Sequence, residues 1–189
     1  MNTKLSPIEI TFSLAVASVS AALVCITTIF FRIDIPATSG YFNIGEAIIY
    51  VTALLFGSYV GGIAGGLGAA LADLLGYPVF APGTLVIKGL EGVIVGFLNR
   101  KLFKQTSRAS LSAVVSMIAG GLEMVAGYFI YETAILKIGV EAAIAEVPFN
   151  IVQMLVGLVI AIPLTQVLLR IFPQLKAQQA TKILTKGQE

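Results

Sequence analysis

Apolar residues run along this chain in long blocks separated by short polar, glycine-rich or proline-rich breaks. A helix that crosses ~30 Å of hydrocarbon needs ~20 consecutive, mostly apolar residues. The first such block runs from about 8 to 31 and opens on the helix-start signal Ser6-Pro7-Ile8-Glu9. It is too long for the ~7–15-residue core of a signal peptide, and its small residues lie in mid-run rather than at a cleavage site. The next block, 44–76, holds 33 residues, which as one helix would be ~50 Å long. Glycine and polarity concentrate at Phe56-Gly57-Ser58-Tyr59-Val60-Gly61-Gly62, so a turn there is expected to divide it into helices of about 44–57 and 60–75. Pro78 and Pro82 bracket a short loop. Three further helices are expected at about 84–102, 109–131 and 148–171, the last beginning at Pro148 after a charged connection with Glu132, Lys137, Glu141 and Glu146. A polar tail follows over 173–189. The pattern predicts an all-α integral membrane protein, a single bundle of six transmembrane helices.

Composition supports a lipid environment. Apolar residues make up 57% of the 189, the 19 glycines raise that to about two-thirds, and charged residues are only 12%. Mean hydropathy is +0.94. A water-soluble globule of this size could not hide so much apolar surface, which excludes a soluble enzyme, a nucleic-acid binder and a disordered tail. One cysteine, Cys25, precludes a disulfide within the chain, and the absence of histidine removes the commonest general base and metal ligand. Net charge is +2, but its distribution says more. With the N-terminus inside, the inner segments hold nine basic residues (Lys4, Arg100, Lys101, Lys104, Arg108, Arg170, Lys176, Lys182 and Lys186) against Arg32 and Lys137 outside. The positive-inside rule then places both termini in the cytoplasm.

Charges within spans are costly and usually paired or functional. Glu46, Asp73, Lys88, Glu91 and Glu123 fall there, all toward the outer half, and Asn150 and Gln153 share that level. So do Asn43, Tyr50, Tyr77, Phe80, Tyr128 and Phe149. An ion pathway would need polar groups at several depths. One outer pocket with aromatic walls and a few polar groups instead suits a small flat organic ligand. Lys88 and Glu91, three apart, are also placed to form a local ion pair. Glycines repeat at four-residue steps over 57–66, and Ala17 and Ala21 make a similar small face on the first helix, both suited to close helix packing. No phosphate loop, nucleophile elbow or metal motif is present, so no catalytic residue and no bound metal or cofactor is expected. A pocket without an engine is the pattern of a binding subunit.

The blocks Asn43-Ile44-Gly45-Glu46, Ala53-Leu54-Leu55-Phe56-Gly57, Ala64 to Pro78, Ala81-Pro82-Gly83-Thr84 and Ile87-Lys88-Gly89-Leu90-Glu91-Gly92 make the family visible. Across 43–92 the chain resembles the substrate-binding S components of energy-coupling factor (ECF) vitamin transporters, in the branch grouped with riboflavin, hydroxymethylpyrimidine and pyridoxine uptake. The resemblance implies a six-helix protein of a prokaryotic plasma membrane that binds a vitamin from outside with high affinity. It implies partners: one membrane T component and two cytoplasmic ATPases, which alone use ATP. It also implies a docking role for Ala17 and Ala21, which match the family's Ala-x-x-x-Ala face on the first helix. Two other readings stay open on the residues alone. One is a small lipid-modifying membrane enzyme using Asp73, Glu46 and Glu91 around a divalent cation; the other is an ion-coupled secondary transporter.

Overall fold

The computed structural model describes residues 6–35, 40–105 and 109–175. Most of the expected tail, with Lys176, Lys182 and Lys186, lies outside the described residues, as do Lys4 and Arg108. Among the described residues the protein is an all-α bundle with one small hairpin. Helix α1 spans Pro7–Phe30, opened by a reciprocal cap in which the Ser6 N–H donates to Glu9 Oε2 at 2.9 Å and Ser6 Oγ accepts from the Glu9 N–H at 3.3 Å. Strands β1 (Arg32–Ile35) and β2 (Gly40–Asn43) then pair antiparallel, with Arg32 opposite Asn43 and Asp34 opposite Tyr41. The hydrophobic pattern gave no sign of this hairpin, because four-residue strands are too short to declare a period.

Helix α2 (Gly45–Phe56) is 12 residues long, and ten of them are buried. At ~18 Å it is shorter than the hydrocarbon layer. Being apolar on all sides, it sits inside the bundle, against α1, α3 (Ser58–Gly76), α4 (Ala81–Gln105) and α6 (Val140–Ile171). The chain breaks at Gly57, whose φ of 90° and ψ of −175° no side-chain-bearing residue adopts without strain. Helix α5 spans Ala109–Ile130 and continues as a π-helical turn, Tyr131–Leu136. The helices α1, α3 and α4, the α5–π-turn unit and α6 are long and apolar enough to cross a membrane.

The last helix departs from the sequence expectation. It starts at Val140, eight residues before Pro148, and carries both Pro148 and Pro163 in its interior. Proline is favoured in a first helical turn, which is why Pro148 read as a beginning. In a membrane bundle neighbouring groups satisfy the carbonyl that an internal proline leaves unbonded. The extra turns bring Glu146 into the structured part of the protein, and the π turn does the same for Glu132; both are buried.

The bundle is held together by close backbone approach. A Cβ on Gly65 of α3 would lie 2.5 Å from the Lys88 carbonyl oxygen of α4, and one on Gly68 would lie 2.5 Å from the Ala21 carbonyl oxygen and 2.7 Å from Val24 Cβ of α1. In lipid the helices gain nothing from escaping water, so such contact supplies the packing energy. Gly68→Val is therefore expected to push α1 off α3 and destabilise the protein by ~1–3 kcal/mol, the range for overpacking. A fall in thermal midpoint in detergent, with no fall for Leu71→Val on the exposed face of the same helix, is the expected measurement.

Candidate ligand-binding site

The hairpin, the N-terminal ends of α2, α4 and α6 and the C-terminal ends of α1, α3 and α5 meet at one end of the bundle. Lys88 is central there. Its ammonium is 3% exposed and is ion-paired directly with Glu46 Oε2 of α2 and, at 3.0 Å, with Glu91 Oε2 one turn along α4. Tyr50 OH donates to Glu91 Oε1 at 3.2 Å. Gln153 of α6 donates through Nε2 to Glu46 Oε2 at 3.3 Å, while its Oε1 accepts from the Asn43 N–H at 2.8 Å and from Asn43 Nδ2 at 3.0 Å. Asn43 Oδ1 in turn accepts from the Gly45 N–H at 2.9 Å and from Thr28 Oγ1 at 3.3 Å. One polar network thus ties α1, the hairpin, α2, α4 and α6. Two carboxylates face one ammonium in it, and Glu46 Oε1 has no hydrogen-bond partner among the described residues. Breaking such a buried pair on one side leaves an uncompensated charge in low dielectric.

A narrow cavity opens beside Lys88. Asp73, Phe80, Thr84, Tyr128, Glu146 and Gln153 are among its walls, and Tyr41 and Gly40 of β2 close it from the hairpin side. Thr84 Oγ1 and Tyr128 OH are 2.9 Å apart, and the Lys88 ammonium lies 5.9 Å from the Tyr128 ring centre. The Tyr41 hydroxyl donates to Asp73 Oδ1. Burial, and then the Asp73 charge beside it, hold that hydroxyl well above its ordinary pKa, so it remains a donor at any physiological pH. At the rim the Tyr41 and Tyr77 rings lie 5.1 Å apart, with the Arg32 guanidinium 5.0 Å from the Tyr77 ring centre.

The structure brings together Asn43, Glu46, Tyr50, Lys88, Glu91 and Gln153 in the network, and Phe80 and Tyr128 in the cavity wall. Tyr77 stands at the rim rather than in the wall. Glu123 is half-buried on α5, with no hydrogen-bond partner for Oε2 among the described residues, and does not line the cavity. Asn150 is buried on the same α6 face as Gln153 but also stands off the cavity wall. Phe149 does not join the site: it is 45% exposed, at the flank of the buried face Glu146, Asn150, Gln153 and Gly157, and does not line the cavity. Ala17 and Ala21 are only 1% and 6% exposed. They belong to the face of α1 turned to α3, where small side chains allow close approach, and so do not form an open docking surface.

Tyr41, Thr84, Glu132 and Glu146 were not among the expected site residues, nor was Asp73, although it counted among the intramembrane charges. The α6 face was readable in principle: 143, 146, 150, 153, 157 and 161 keep helical spacing once Pro148 is allowed inside a helix. Tyr41 carried no signal, since only the hairpin directs it inward. In the opposite half, Thr52, Ser112 and Ser116 are buried, a polar set the sequence reading passed over. They are hydroxyls, and Ser112 Oγ bonds Asn99 Oδ1 at 3.0 Å while Ser116 Oγ bonds the Ala113 carbonyl at 2.8 Å.

The family profile described as "ECF-type riboflavin transporter, S component" matches residues 10–170. The chain belongs to that family. It is a multi-pass membrane subunit of an ECF-type transporter, in vitamin or vitamin-precursor uptake, and the family is one of transport subunits rather than enzymes. A Pyrococcus woesei protein described as an "uncharacterized protein in gap 3'region" is 45% identical over 137 residues, 72% of this chain and 88% of that protein. The "thiamine precursor transporter HmpT" of Lactococcus lactis subsp. cremoris (strain MG1363) is 31% identical over 150 residues, 78% of this chain and 82% of that protein.

In this S component Lys88→Met alone is expected to destabilise by ~3–5 kcal/mol, because two buried carboxylates lose their counter-charge. Adding Glu91→Gln recovers only part of the loss, since Glu46 still faces the vacated position; adding Glu46→Gln recovers most. Thermal midpoints in detergent report all three. Full recovery by the double variant would mean that Glu46 is not a working partner of Lys88.

Proposed function

We propose that this S component binds a small flat vitamin or precursor, of the riboflavin, hydroxymethylpyrimidine or pyridoxine type, in the hairpin-end cavity. The observation that carries the reading is that Lys88, Tyr128 and Gln153, from three helices, and Phe80, from the turn before α4, border one cavity. Charged groups for orientation beside rings for stacking are what such a ligand requires. The HmpT relative, named for a thiamine precursor, supports the same ligand range. The cavity is narrow with the hairpin in place, so entry needs the hairpin to lift away from Asp73 and Gln153. The cavity faces the outside of a prokaryotic plasma membrane, with both termini in the cytoplasm, as the nine-to-two distribution of basic residues supports. A membrane T component and two cytoplasmic ATPases dock on the subunit and drive uptake.

Calorimetry on the purified chain with riboflavin, the hydroxymethylpyrimidine and pyridoxine is expected to give saturable binding of one of the three. In liposomes the chain alone should give no uptake, and ATP-dependent uptake should appear once the T component and ATPases are added. Saturable binding of none, or uptake by the chain alone, overturns the reading. For orientation, a cysteine placed at Gln105, at the end of α4, is expected to react with a membrane-impermeant reagent only after the cytoplasmic side is opened. Labelling in intact cells reverses the assigned sidedness.

A further inference from the structure

Two buried N–H donors beside the cavity have no acceptor among the described residues. The Lys88 ammonium carries three N–H groups, and the carboxylates of Glu46 and Glu91 take one each. Neither carboxylate is in the cavity wall, whereas Lys88 is. The remaining N–H therefore lies on the side that the carboxylates leave open, which is the cavity side. Gln153 repeats the pattern from α6. Its Oε1 accepts from the Asn43 N–H at 2.8 Å and from Asn43 Nδ2 at 3.0 Å, which settles how the amide is turned and directs Nε2 to Glu46. One Nε2 hydrogen reaches Glu46 Oε2 at 3.3 Å, and the other has no partner among the described residues. Gln153 is 2% exposed and also borders the cavity. Because Lys88 Nζ and Gln153 Nε2 both bond Glu46 Oε2, they stand side by side. A buried donor without an acceptor costs its full desolvation, so the pair is complete only when something in the cavity accepts from it.

We infer that Lys88 Nζ and Gln153 Nε2 together receive a hydrogen-bond acceptor on the ring edge of the ligand, a ring nitrogen or a carbonyl oxygen. This rests on the ligand-binding reading above and adds the chemistry of the edge that faces α4 and α6. An ammonium by itself invites an anion. Here Glu46 and Glu91 already balance it, and Asp73 borders the same cavity, so a phosphate or carboxylate would bring further negative charge into acidic surroundings. A neutral acceptor takes both N–H groups without that repulsion. A hydrocarbon edge would leave the two donors buried and unbonded, and an amine would oppose N–H with N–H, so the pair rejects as well as binds. Asn43 Nδ2, which gives one hydrogen to Gln153, borders the cavity from the roof and adds to the same donor-rich side. The cavity's hydroxyls are engaged elsewhere: Tyr41 donates to Asp73, Thr28 donates to Asn43, and Thr84 and Tyr128 bond each other at 2.9 Å. The Thr84–Tyr128 pair keeps one hydrogen, which makes it the competing donor.

The test is calorimetry on the full chain in detergent. The probes are riboflavin, 4-amino-5-hydroxymethyl-2-methylpyrimidine and pyridoxine, with analogues of each in which one ring nitrogen is replaced by C–H or one ring carbonyl by the weaker acceptor C=S. For the parent that binds, one such replacement is expected to lower affinity roughly ten- to a hundredfold, the range for a hydrogen bond to a charged group. The other replacements should change it only slightly. Gln153→Met should weaken the parent and shrink the difference between parent and sensitive analogue, because the two losses are coupled and do not add. Tyr128→Phe should leave that difference intact. A packing role for Gln153 would weaken parent and analogue equally. A parent that binds while every single replacement is tolerated overturns the inference whether or not any variant folds. So does a difference that survives in full in folded Gln153→Met, or one that vanishes in Tyr128→Phe, which would assign the acceptor to that hydroxyl. In each of these cases a ligand still binds and the proposed function stands. If none of the three parents binds, the proposed function falls and the inference with it.

Discussion

An ammonium in the interior of a lipid-embedded bundle has no water to solvate it, so its counter-charges must come from the protein. Lys88 meets that constraint with Glu46 and Glu91. Glu91 is on its own helix, one turn away, and needs no tertiary structure to be near. Glu46 is on a different helix, and recruiting it fixes where α2 lies. Gln153 then bonds Glu46, which positions α6, and Asn43 bonds Gln153, which positions the hairpin. Each link is buried, and a buried network that is nearly satisfied favours one arrangement of its parts over slipped alternatives.

The glycines set the distances on which that network relies. Because Gly65 lets the α3 backbone touch the Lys88 carbonyl, the lysine stem starts from a fixed point on a closely packed helix pair. The short α2, buried on nearly every side, fills the volume left by the longer helices and brings Glu46 and Tyr50 to the lysine from the interior. The result is a rigid floor. The roof differs: it is two four-residue strands held by Tyr41 to Asp73 and Asn43 to Gln153, with Arg32 and Tyr77 packed at the rim. A segment tied down by a few bonds opens at lower free energy than the bundle beneath it unfolds. A fixed floor under a lighter roof suits a subunit that must admit a ligand and then enclose it.

Acidic groups outnumber basic ones at the cavity end of the bundle. Glu46 and Glu91 share the Lys88 ammonium, while Glu132 and Glu146 are buried on the π turn and on α6. The Lys88 network lies inside the bundle and borders the cavity through Lys88 and Gln153. Glu146 borders the cavity as well, with Asp73 and Lys88.

The sequence by itself determined the solvent and the class of fold. Apolar block length, 57% apolar residues and a mere 12% charged residues require an all-α membrane bundle, because only internally hydrogen-bonded backbone is tolerated in hydrocarbon. It also singled out Lys88, Glu46, Glu91 and Gln153, since a polar residue inside an apolar run is conspicuous. Only the tertiary structure decided which way each helix faces. A helix that is apolar all round carries no amphipathic stripe from which to read its buried side. So Ala17 and Ala21 turn inward to α3, and Phe149 turns outward although its neighbour Asn150 is buried. Glu132 and Glu146, charged and between apolar blocks, read as connection; a π turn and eight more helical residues buried both. Their burial depends on the π turn packing against α6, and no local period encodes a contact that only the packing of two different elements creates.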